Sequence, residues 1–546
     1  MLSFIVGFGI YSLTNISVGA VPDITNNQVQ VITTSRSLST IDVEQFITYP
    51  VELEMSNLPG VKEIRSVSKF GLSVVTVIFE DDMGTYLPRQ VLAEKLKNIE
   101  ETIPKNFGTP TMGPITTGLG EIYQYTLETK PGYEDEFSVM ELRSIQDWIV
   151  KRQLSGIPGI VEINTWGGFL KEYEVAISSE KLQASNISIQ QVFTALEKNN
   201  SIAGGSYIEK EEQAYFIRGN GLVKSLEDIR NISVENRNGI PILIGDVAEV
   251  GFGFARRFGA ITGNGEGEKV LGQIMMLKDA DSKAVITAVK ERLQQIEESL
   301  PEGVYINGFL DRSELIGKTT STIAENLILG FLVVAFIVTL LIGDIRSGLI
   351  ISSVIPLSFL IAISLMYIFN IDANLMSLGA LDFGIIIDGA VIIVEFVAFK
   401  MLQKSEKFKA LTGTDYTSEK NVIAAKGASK MMNSAIFGQL IILIVFIPIV
   451  SLSGVEGKMF RPMALTFGFA LIGAMFLCLT WIPVACSLFL NPKKLKSKNI
   501  STKILDKIKK AYIPSVSWAL NHTKAVVISA LIIVAFSVTV KRRNPD

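Results

Sequence analysis

Residues 381–395 read LDFGIIIDGAVIIVE and place Asp382, Asp388 and Glu395 in an otherwise apolar stretch. An ionised acid at the centre of a bilayer costs about 3 kcal/mol on insertion scales. Three acids in one membrane helix therefore predict that they face a bundle interior and bind protons or cations. The alternative is that they only bond neighbouring helices as polar glue, which is a weaker explanation for three acids than for one.

Helix geometry separates the three acids. Asp388 and Glu395 are seven residues apart, so they share nearly one helix face, about two turns or ~10.5 Å apart. Asp382 precedes Asp388 by six residues and is predicted on a different flank, at about 100° per residue. Gly384 and Gly389 allow another helix to approach closely. The arrangement favours reversible proton binding, and sodium binding remains an alternative on chemistry alone.

The chain around this stretch is rich in apolar runs. Of 546 residues, 48% are hydrophobic and 19% are charged, which indicates that much of the chain lies in lipid. The runs are Leu327–Ile342, Leu349–Phe369, Leu375–Phe399, Ser434–Leu452, Met463–Leu490 and Ala525–Val540. We predict membrane helices 2–6 within residues 323–490 and a seventh within 523–546. Residues 1–22 are interpreted as the remaining part of a first membrane helix.

Basic residues set the predicted orientation. Lysines cluster after the third run, between Lys400 and Lys430, and again in residues 491–522. The positive-inside rule places both segments in the cytoplasm and the block before Leu327 in the periplasm of a Gram-negative cell. Residues 501–520 mix Lys with apolar residues and predict an amphipathic helix on the cytoplasmic membrane surface, with a plain loop as the alternative.

The periplasmic block contains an internal repeat. Leu58-Pro59-Gly60-Val61 ends one predicted helix, and Ile157-Pro158-Gly159-Ile160 ends another 99 residues later. Each is followed by two β-rich runs that predict a hairpin. The fold class is therefore an α-helical polytopic membrane protein with α+β periplasmic modules. We predict a split β-α-β first module at residues 23–125. The second, at 126–177 and 266–322, is interrupted by a subdomain at 178–265.

The residue inventory excludes several chemistries. Cys478 and Cys486 lie in one apolar run and are interpreted as packing residues, and His522 is the single histidine. No phosphate loop, catalytic triad or Cys/His metal cluster occurs, so we expect neither an enzyme nor a bound cofactor, and metal ligands stay unassigned. Six methionines of the outer block suit Cu(I) chemically, but core packing is favoured: Met55, Met83, Met112, Met140, Met275 and Met276.

These features resemble the heavy-metal efflux branch of the resistance–nodulation–division (RND) transporters, specifically the cobalt–zinc–cadmium type of inner-membrane pump subunit. The resemblance rests on Asp382-Phe383-Gly384, Asp388-Gly389-Ala390-Val391 and Val394-Glu395. It rests also on LPGVKEIRSVSKFGLSVVTVIFED (58–81), MGPITTGLGEIYQYTLE (112–128) and GVEGKMFRPMA (454–464). It implies ferredoxin-like porter modules and a docking role for the insertion at 178–265.

The resemblance also implies a function. A homotrimeric proton antiporter of the inner membrane would export heavy-metal cations, with a periplasmic adaptor and an outer-membrane channel as partners and no nucleic acid. Asp382, Asp388 and Glu395 would form the proton relay. An Asp at 382 resembles the members that carry divalent zinc, cobalt, cadmium or nickel more than the copper and silver members.

Two departures from the family pattern keep alternatives open. The chain ends at Asp546, where the family continues into a second porter block and a membrane lysine expected to pair with the acids. Phe396 stands where the family usually has Asn. The expectation is the N-terminal half of a pump, as a fragment, a truncated product or one part of a split transporter. The alternatives are an RND exporter of amphiphilic drugs and a non-functional truncated fragment.

Overall fold

The computed structural model describes residues 1–19, 21–35, 38–211, 213–379, 381–493 and 500–543. The chain divides into two compact units, one made of residues 1–113 and 313–546 and the other of residues 114–312. The first unit opens with helix α1, Leu2–Asn15. Its Gly9 packs closely on the helix Val354–Ile368, because a Cβ there would lie 2.7 Å from the Leu360 Cβ.

The first module is a four-stranded antiparallel sheet backed by helices. Its elements are β1 Gln28–Thr34, α2 Thr40–Val43, a π-helical turn Glu44–Thr48, α3 Tyr49–Ser56, β2 Val61–Lys69, β3 Leu72–Phe79, a 3-10 turn Asp81–Met83, α4 Tyr86–Thr102 and β4 Thr111–Met112. The strand order is β2-β3-β1-β4. Alternate residues of β1 are buried against the helices, which is the period-2 pattern of a half-covered strand. Met55 and Leu92 are fully buried in this core.

The predicted β2–β3 hairpin of the first module is confirmed. The two strands pair antiparallel from Val61–Phe79 to Lys69–Leu72. Gly71 closes the turn with φ of 69°, and a Cβ there would lie 2.5 Å from the Ser35 carbonyl oxygen. Only glycine adopts this conformation without strain at so close an approach.

The second module repeats the same topology around an insertion. It begins with β5 Glu121–Thr129, α5 Val139–Ile145, a π-helical turn Gln146–Val150, α6 Lys151–Leu154 and β6 Ile160–Trp166. The insertion and its flanking strands follow: β7 Lys171–Ile177, α7 Ser179–Ser185, α8 Ile189–Lys198, β8 Ile202–Lys210, β9 Gln213–Asn220, α9 Leu226–Arg230, β10 Ser233–Arg237, β11 Ile240–Leu243, α10 Ile244–Val247 and β12 Ala248–Phe254. The module is completed by β13 Val270–Met276, α11 Ser282–Glu297 and β14 Val304–Asp311.

The sheet of the second module has the order β14-β5-β13-β6. If the four strands of each module are numbered 1 to 4 along the chain, the order in the second module is 4-1-3-2. The first module, read from β4 to β2, has the same order. The predicted pair of split β-α-β modules, ferredoxin-like in topology, is therefore confirmed. The strand β5 starts at Glu121, ahead of the expected boundary at residue 125.

The predicted hairpin of the second module is wrong. β6 pairs with β13, and β7 instead pairs with β12 over Lys171–Phe254 to Ile177–Ala248. Gly167 and Gly168 both have positive φ, 71° and 69°, so the chain turns away from the sheet after Trp166. The two ends of the insertion thus meet as a two-stranded ribbon. Between them the insertion has its own core, which includes Leu182, Val192 and Ile244.

The described residues after Asp311 are mostly helical. The helices are α12 Arg312–Ile342, α13 Ile345–Ser352, α14 Val354–Ile368, α15 Leu375–Gly379, α16 Phe383–Gln403, α17 Ser405–Ala410, α18 Gly413–Val445, α19 Ile447–Val450, α20 Gly454–Leu479, α21 Trp481–Phe489, α22 Ile500–Asn521 and α23 Thr523–Arg543. Fully buried residues such as Val354, Ala362, Ile393 and Ala474 form one shared core. The segment after α16, expected as a basic loop, is largely helical because α18 already begins at Gly413.

Four of these segments are long and apolar enough to cross a membrane within the described ranges: Arg312–Ile342, Ile345–Ile368, Gly413–Val450 and Gly454–Leu479. A fifth results if Lys507–Asn521 and Thr523–Ser537, which meet at 93°, form one broken span. Residues 501–520 are helical, as predicted. Lys494, Lys496 and Lys498 of the basic segment lie outside the described residues.

Candidate functional site

Asp382 lies at the start of the acidic helix and not inside it. The predicted single span Leu375–Phe399 is wrong, because α15 ends at Gly379 and α16 begins at Phe383. Asp382 has extended backbone geometry, φ −85° and ψ 104°, and its Oδ1 accepts a hydrogen bond of 2.8 Å from the Gly384 N–H. A carboxylate here satisfies a free N–H group and complements the helix dipole. The expected position on a second flank of the helix is thereby corrected.

The prediction that the acids face a bundle interior is not met within the described residues, because Asp388 and Glu395 lie on one exposed stripe of α16. Residues of the opposite face are buried in the bundle, among them Ile386, Ala390 and Ile393. The stripe runs Asp388, Ile392, Glu395 and Phe399, the i, i+4, i+7, i+11 spacing of one helix face. Every 18-residue stretch of α16 holds Asp388, Glu395 and Lys400, which is why this helix is more charged than the four apolar spans.

Neither acid of the stripe has a described partner. Within the described ranges, no hydrogen bond or ion pair is recorded for Asp388 or Glu395. In the apolar environment predicted for this helix, an acid without a partner is favoured when it binds a proton or a cation. Within the described residues, the two acids therefore do not bond neighbouring helices as polar glue.

A glycine next to Asp388 brings α16 against α18 and α20. A Cβ on Gly389 would lie 3.0 Å from the Gln439 Nε2 and 3.2 Å from the Cys478 Sγ. Gln439 is 3% exposed, and neither atom of its amide has a partner within the described residues. Sequence reasoning missed Gln439, because one glutamine in a long apolar helix gives no signal of where it points.

The ring of Phe396, which follows Glu395 in sequence, lies close to two lysines. The Lys400 Nζ and the Lys430 Nζ each lie 5.7 Å from the centre of the Phe396 ring. Cations attracted to an aromatic face at this distance gain about 0.5–1 kcal/mol. Phe396, the residue that departs from the family pattern, thus lies within cation–π distance of two lysines.

The structure identifies no preformed metal centre. In the parts of the chain that the structure describes, no group of three or more His, Cys, Asp or Glu side chains is arranged to hold a metal ion. Cys478 and Cys486 are free and buried, as expected of packing residues. Met55 and Met276 are buried in the cores of the two modules, which agrees with the packing interpretation.

Two topologically equivalent ferredoxin-like modules, a bundle of apolar helices and an acidic stripe on one of them define a class: membrane transporters with duplicated soluble modules. The chain matches the AcrB/AcrD/AcrF family over residues 1–546 and belongs to this family of RND transporters. RND proteins are transporters and not enzymes in the usual sense.

Its relatives are heavy-metal efflux proteins. The chain is 43% identical over 542 residues to the cation efflux system protein CzcA of Alcaligenes sp. (strain CT14). The match covers 98% of this chain and 50% of that protein. It is 36% identical over 490 residues to the cation efflux system protein CusA of Escherichia coli (strain K12), covering 89% and 46%.

A solved structure gives the same result. A heavy metal efflux pump, in its second crystal form, matches with a TM-score of 0.82 and 30% identity over 98% of this chain and 50% of that chain. The predicted membership of the heavy-metal branch is confirmed. The chain spans about half the length of the curated relatives that it matches.

Proposed function

We propose that this chain works in a proton-driven pump that exports divalent heavy-metal cations across the inner membrane of a bacterium. The observation that carries the proposal is the acidic stripe of α16. Asp388 and Glu395 lie seven residues apart on the exposed face of a helix whose other face is buried, and neither has a described partner. Alternating protonation of the two acids would drive the conformational cycle of the modules.

The cargo is proposed from the relatives. One of them, from Cupriavidus metallidurans, is named a cobalt-zinc-cadmium resistance protein, at 43% identity. Another, from Alcaligenes xylosoxydans xylosoxydans, is named a nickel-cobalt-cadmium resistance protein, at 35% identity. These names support a divalent metal cargo, and none of them supports an exporter of amphiphilic drugs. Assembly as a homotrimer with a periplasmic adaptor and an outer-membrane channel belongs to the same proposal.

The proposal is tested by neutralising the acids one at a time. The gene is expressed from its own locus, with its flanking reading frames, in cells that lack other metal exporters. Asp388→Asn and Glu395→Gln should each reduce zinc and cobalt resistance to that of cells without the chain. Glu406→Gln is the matched control, because Glu406 is exposed and forms its ion pair with Lys409 on the surface. Unchanged resistance in Asp388→Asn would refute the coupling role.

Asp382 needs a pair of substitutions because it is also the N-cap of α16. Asp382→Asn keeps a capping oxygen and removes the charge, whereas Asp382→Ala removes both. If Asp382 belongs to the relay, both variants should lose resistance. If only Asp382→Ala loses it, the residue acts as a cap and the relay consists of Asp388 and Glu395.

Everted membrane vesicles separate the coupling ion from the cargo. Addition of zinc to energised vesicles should release protons from the lumen, and a sodium gradient alone should drive no zinc movement. Zinc uptake that follows the sodium gradient would replace protons by sodium as the coupling ion.

A further inference from the structure

Two basic side chains meet at the C-terminal end of α21. The Lys420 Nζ, from α18, donates a hydrogen bond of 3.1 Å to the Leu488 carbonyl oxygen. The Arg346 Nη1, from α13, donates one of 3.1 Å to the next carbonyl oxygen, that of Phe489. Cations at a helix C-terminus are favoured because the last carbonyls are free and the dipole is negative there. We call this place the α21 corner.

The charges of the α21 corner are not neutralised by acids. Within the described residues, no ion pair joins Arg346 or Lys420 to a carboxylate. The acid nearest to Arg346 in sequence, Asp344, accepts instead from the N–H and the hydroxyl of Ser347, both at 3.0 Å. Glu419 directly precedes Lys420 but pairs with Lys404 and Lys407. Other lysines in this region do have acidic partners: Lys404 and Lys407 pair with Glu419, and Lys409 pairs with Glu406.

Burial makes the lack of an anion significant. Lys420 is 8% exposed, so most of its surface is covered by the protein, whereas Arg346 is exposed. An ammonium group carries three donors and a guanidinium five, and each has one described carbonyl partner here. Buried charges are ordinarily paired with an opposite charge. Helix capping alone satisfies one donor of each side chain and leaves the positive charge of the corner without a counterion.

An apolar groove opens beside these cations. Its volume is about 460 Å³, and it is lined by Arg346, Leu349, Ile350, Ser353, Trp481, Leu488 and Phe489. The Trp481 Nε1 donates a hydrogen bond of 2.9 Å to the Ser353 Oγ, which fixes the ring as one wall. Leu349 and Leu488 are 49% and 63% exposed, so the groove presents apolar surface outward from a membrane bundle.

A second groove lies on the other side of α21. Its volume is about 540 Å³, and Lys420, Tyr416 and Asn421 contribute to its lining. Leu488 lines both grooves, so the two cations stand at the rims of adjoining depressions. An anionic group with a long apolar part would match the two cations and the two apolar grooves.

We propose that the α21 corner binds an anionic phospholipid. The phosphate oxygens accept hydrogen bonds from the remaining donors of Arg346 and Lys420, and an acyl chain lies against Leu349, Trp481 and Leu488. A guanidinium group matches the bidentate geometry of phosphate. Basic pockets between membrane helices at the cytoplasmic face are characteristic sites for anionic lipid headgroups, and Trp is enriched at that interface.

The location in the bundle agrees with this ligand. The corner lies at the end of the bundle where the basic segments are found. Lys404 pairs with Glu419, the neighbour of Lys420 in sequence. Lys493, which follows α21, donates to the Leu411 carbonyl oxygen at 3.2 Å. The positive-inside rule assigns that end to the cytoplasmic leaflet, which holds anionic lipids. The site is separate from the acidic stripe, so the lipid proposal stands or falls independently of proton coupling.

Lipid retention by the purified full chain tests the proposal. Native mass spectrometry compares phosphatidylglycerol with phosphatidylcholine of identical acyl chains. Wild type should prefer phosphatidylglycerol, and Arg346→Gln should weaken that preference about fivefold, since one basic residue near an anionic headgroup contributes about this factor. Lys409→Gln is the matched control, because it removes one charge from an exposed ion pair. Equal retention of the two lipids, or an equal loss in the control, would overturn the proposal.

Fluorescence quenching locates the acyl chain. Phosphatidylglycerol with brominated acyl chains should quench wild-type fluorescence more than the brominated phosphatidylcholine. That difference should disappear in Trp481→Phe, which keeps an aromatic wall, and should decrease in Arg346→Gln. Inorganic phosphate at millimolar concentration should not displace the lipid, since it makes no contact with the groove. Displacement by phosphate, or quenching independent of Trp481, would rule out a lipid at this corner.

Discussion

Gln146 in the second module and Gln439 in the membrane bundle are both buried, yet only one of them is hydrogen bonded. Gln146 is 0% exposed, and its Oε1 accepts a hydrogen bond of 3.0 Å from the Tyr125 hydroxyl, whereas its Nε2 has no partner within the described residues. Gln439 is 3% exposed, and neither its Oε1 nor its Nε2 has a partner within the described residues. Burying an amide without a hydrogen-bond partner lowers the stability of the folded state by about 1–3 kcal/mol. Gln439 therefore does not stabilise the fold of the bundle through hydrogen bonds.

The surroundings of the two glutamines explain the difference. Burial raises the pKa of the Tyr125 hydroxyl, so it remains a protonated donor to Gln146 throughout the physiological range. Gln439 instead faces Gly389, beside the unpaired Asp388. In the second module a buried polar pair stabilises the fold. In the bundle, a buried amide without a partner packs against Gly389, the residue that follows Asp388 in sequence.

The largest effect that would test this contrast is expected at Gly389. Gly389→Leu forces a side chain into a space where even a Cβ lies 3.0 Å from the Gln439 Nε2. Overpacking of this kind costs about 3 kcal/mol. The thermal midpoint of the chain in nanodiscs should therefore fall by several degrees.

Gly438→Leu is the matched control for Gly389→Leu. Gly438 lies on α18 beside Gln439, and a Cβ there would meet no atom within 4 Å. Leucine is also a better helix former than glycine by roughly 0.5–1 kcal/mol. The control should keep or raise the thermal midpoint. An equal loss in both variants would show that the Gly389 contact with Gln439 and Cys478 is not tight.

Substituting each glutamine by leucine tests directly whether the two buried amides differ in their effect on stability. Gln146→Leu leaves the fully buried Tyr125 hydroxyl without its acceptor, which should cost about 1–3 kcal/mol. Gln439→Leu removes no described hydrogen bond and should be neutral or stabilising by about 1 kcal/mol. Thermal unfolding of the full chain, followed through Trp148 and Trp166 for the second module, measures the first effect. Equal destabilisation by both substitutions would show that Gln439 has an unrecognised stabilising contact.

Much of the fold could be predicted from sequence because its signals are local. The Pro-Gly pairs at 59–60 and 158–159 end helices in both modules, and apolar runs predict the membrane helices. Non-local choices could not be predicted. β7 pairs with β12 across an insertion that itself contains strands. The chain leaves the sheet at Gly167 and Gly168, which both have positive φ.

The candidate site was predicted in part. The seven-residue spacing placed Asp388 and Glu395 on one face, and the structure agrees. Asp382 was misplaced because an unbroken apolar run outweighed a local signal: an Asp directly before a helical stretch is a typical N-cap. Gln439 was missed because its importance depends on which residue of another helix it meets.

The smallest expected effect concerns Glu141, whose capping role depends on pH. Ser138 and Glu141 form a capping box at the start of α5, and Ser188 and Gln191 form one at the start of α8. Hydrogen bonds from the Ser138 N–H and hydroxyl hold the pKa of Glu141 below its ordinary value. Because the folded pKa is the lower one, this stabilisation is complete above the ordinary pKa of a free Glu, and it is lost as pH falls through the folded pKa.

Glu141→Gln should therefore lower the stability of α5 by about 0.5 kcal/mol at pH 7. The substitution removes the negative charge that the helix dipole favours at this end, but glutamine still completes the capping box. The difference from wild type should shrink below about pH 4.5, the range in which a free Glu side chain begins to bind its proton. The reverse substitution, Gln191→Glu, should give α8 the pH dependence that it lacks. Hydrogen exchange at the first turns of α5 and α8, measured between pH 4 and pH 7, compares the two boxes in one chain. If protection of α5 falls with pH equally in wild type and Glu141→Gln, the carboxylate is not what stabilises this cap.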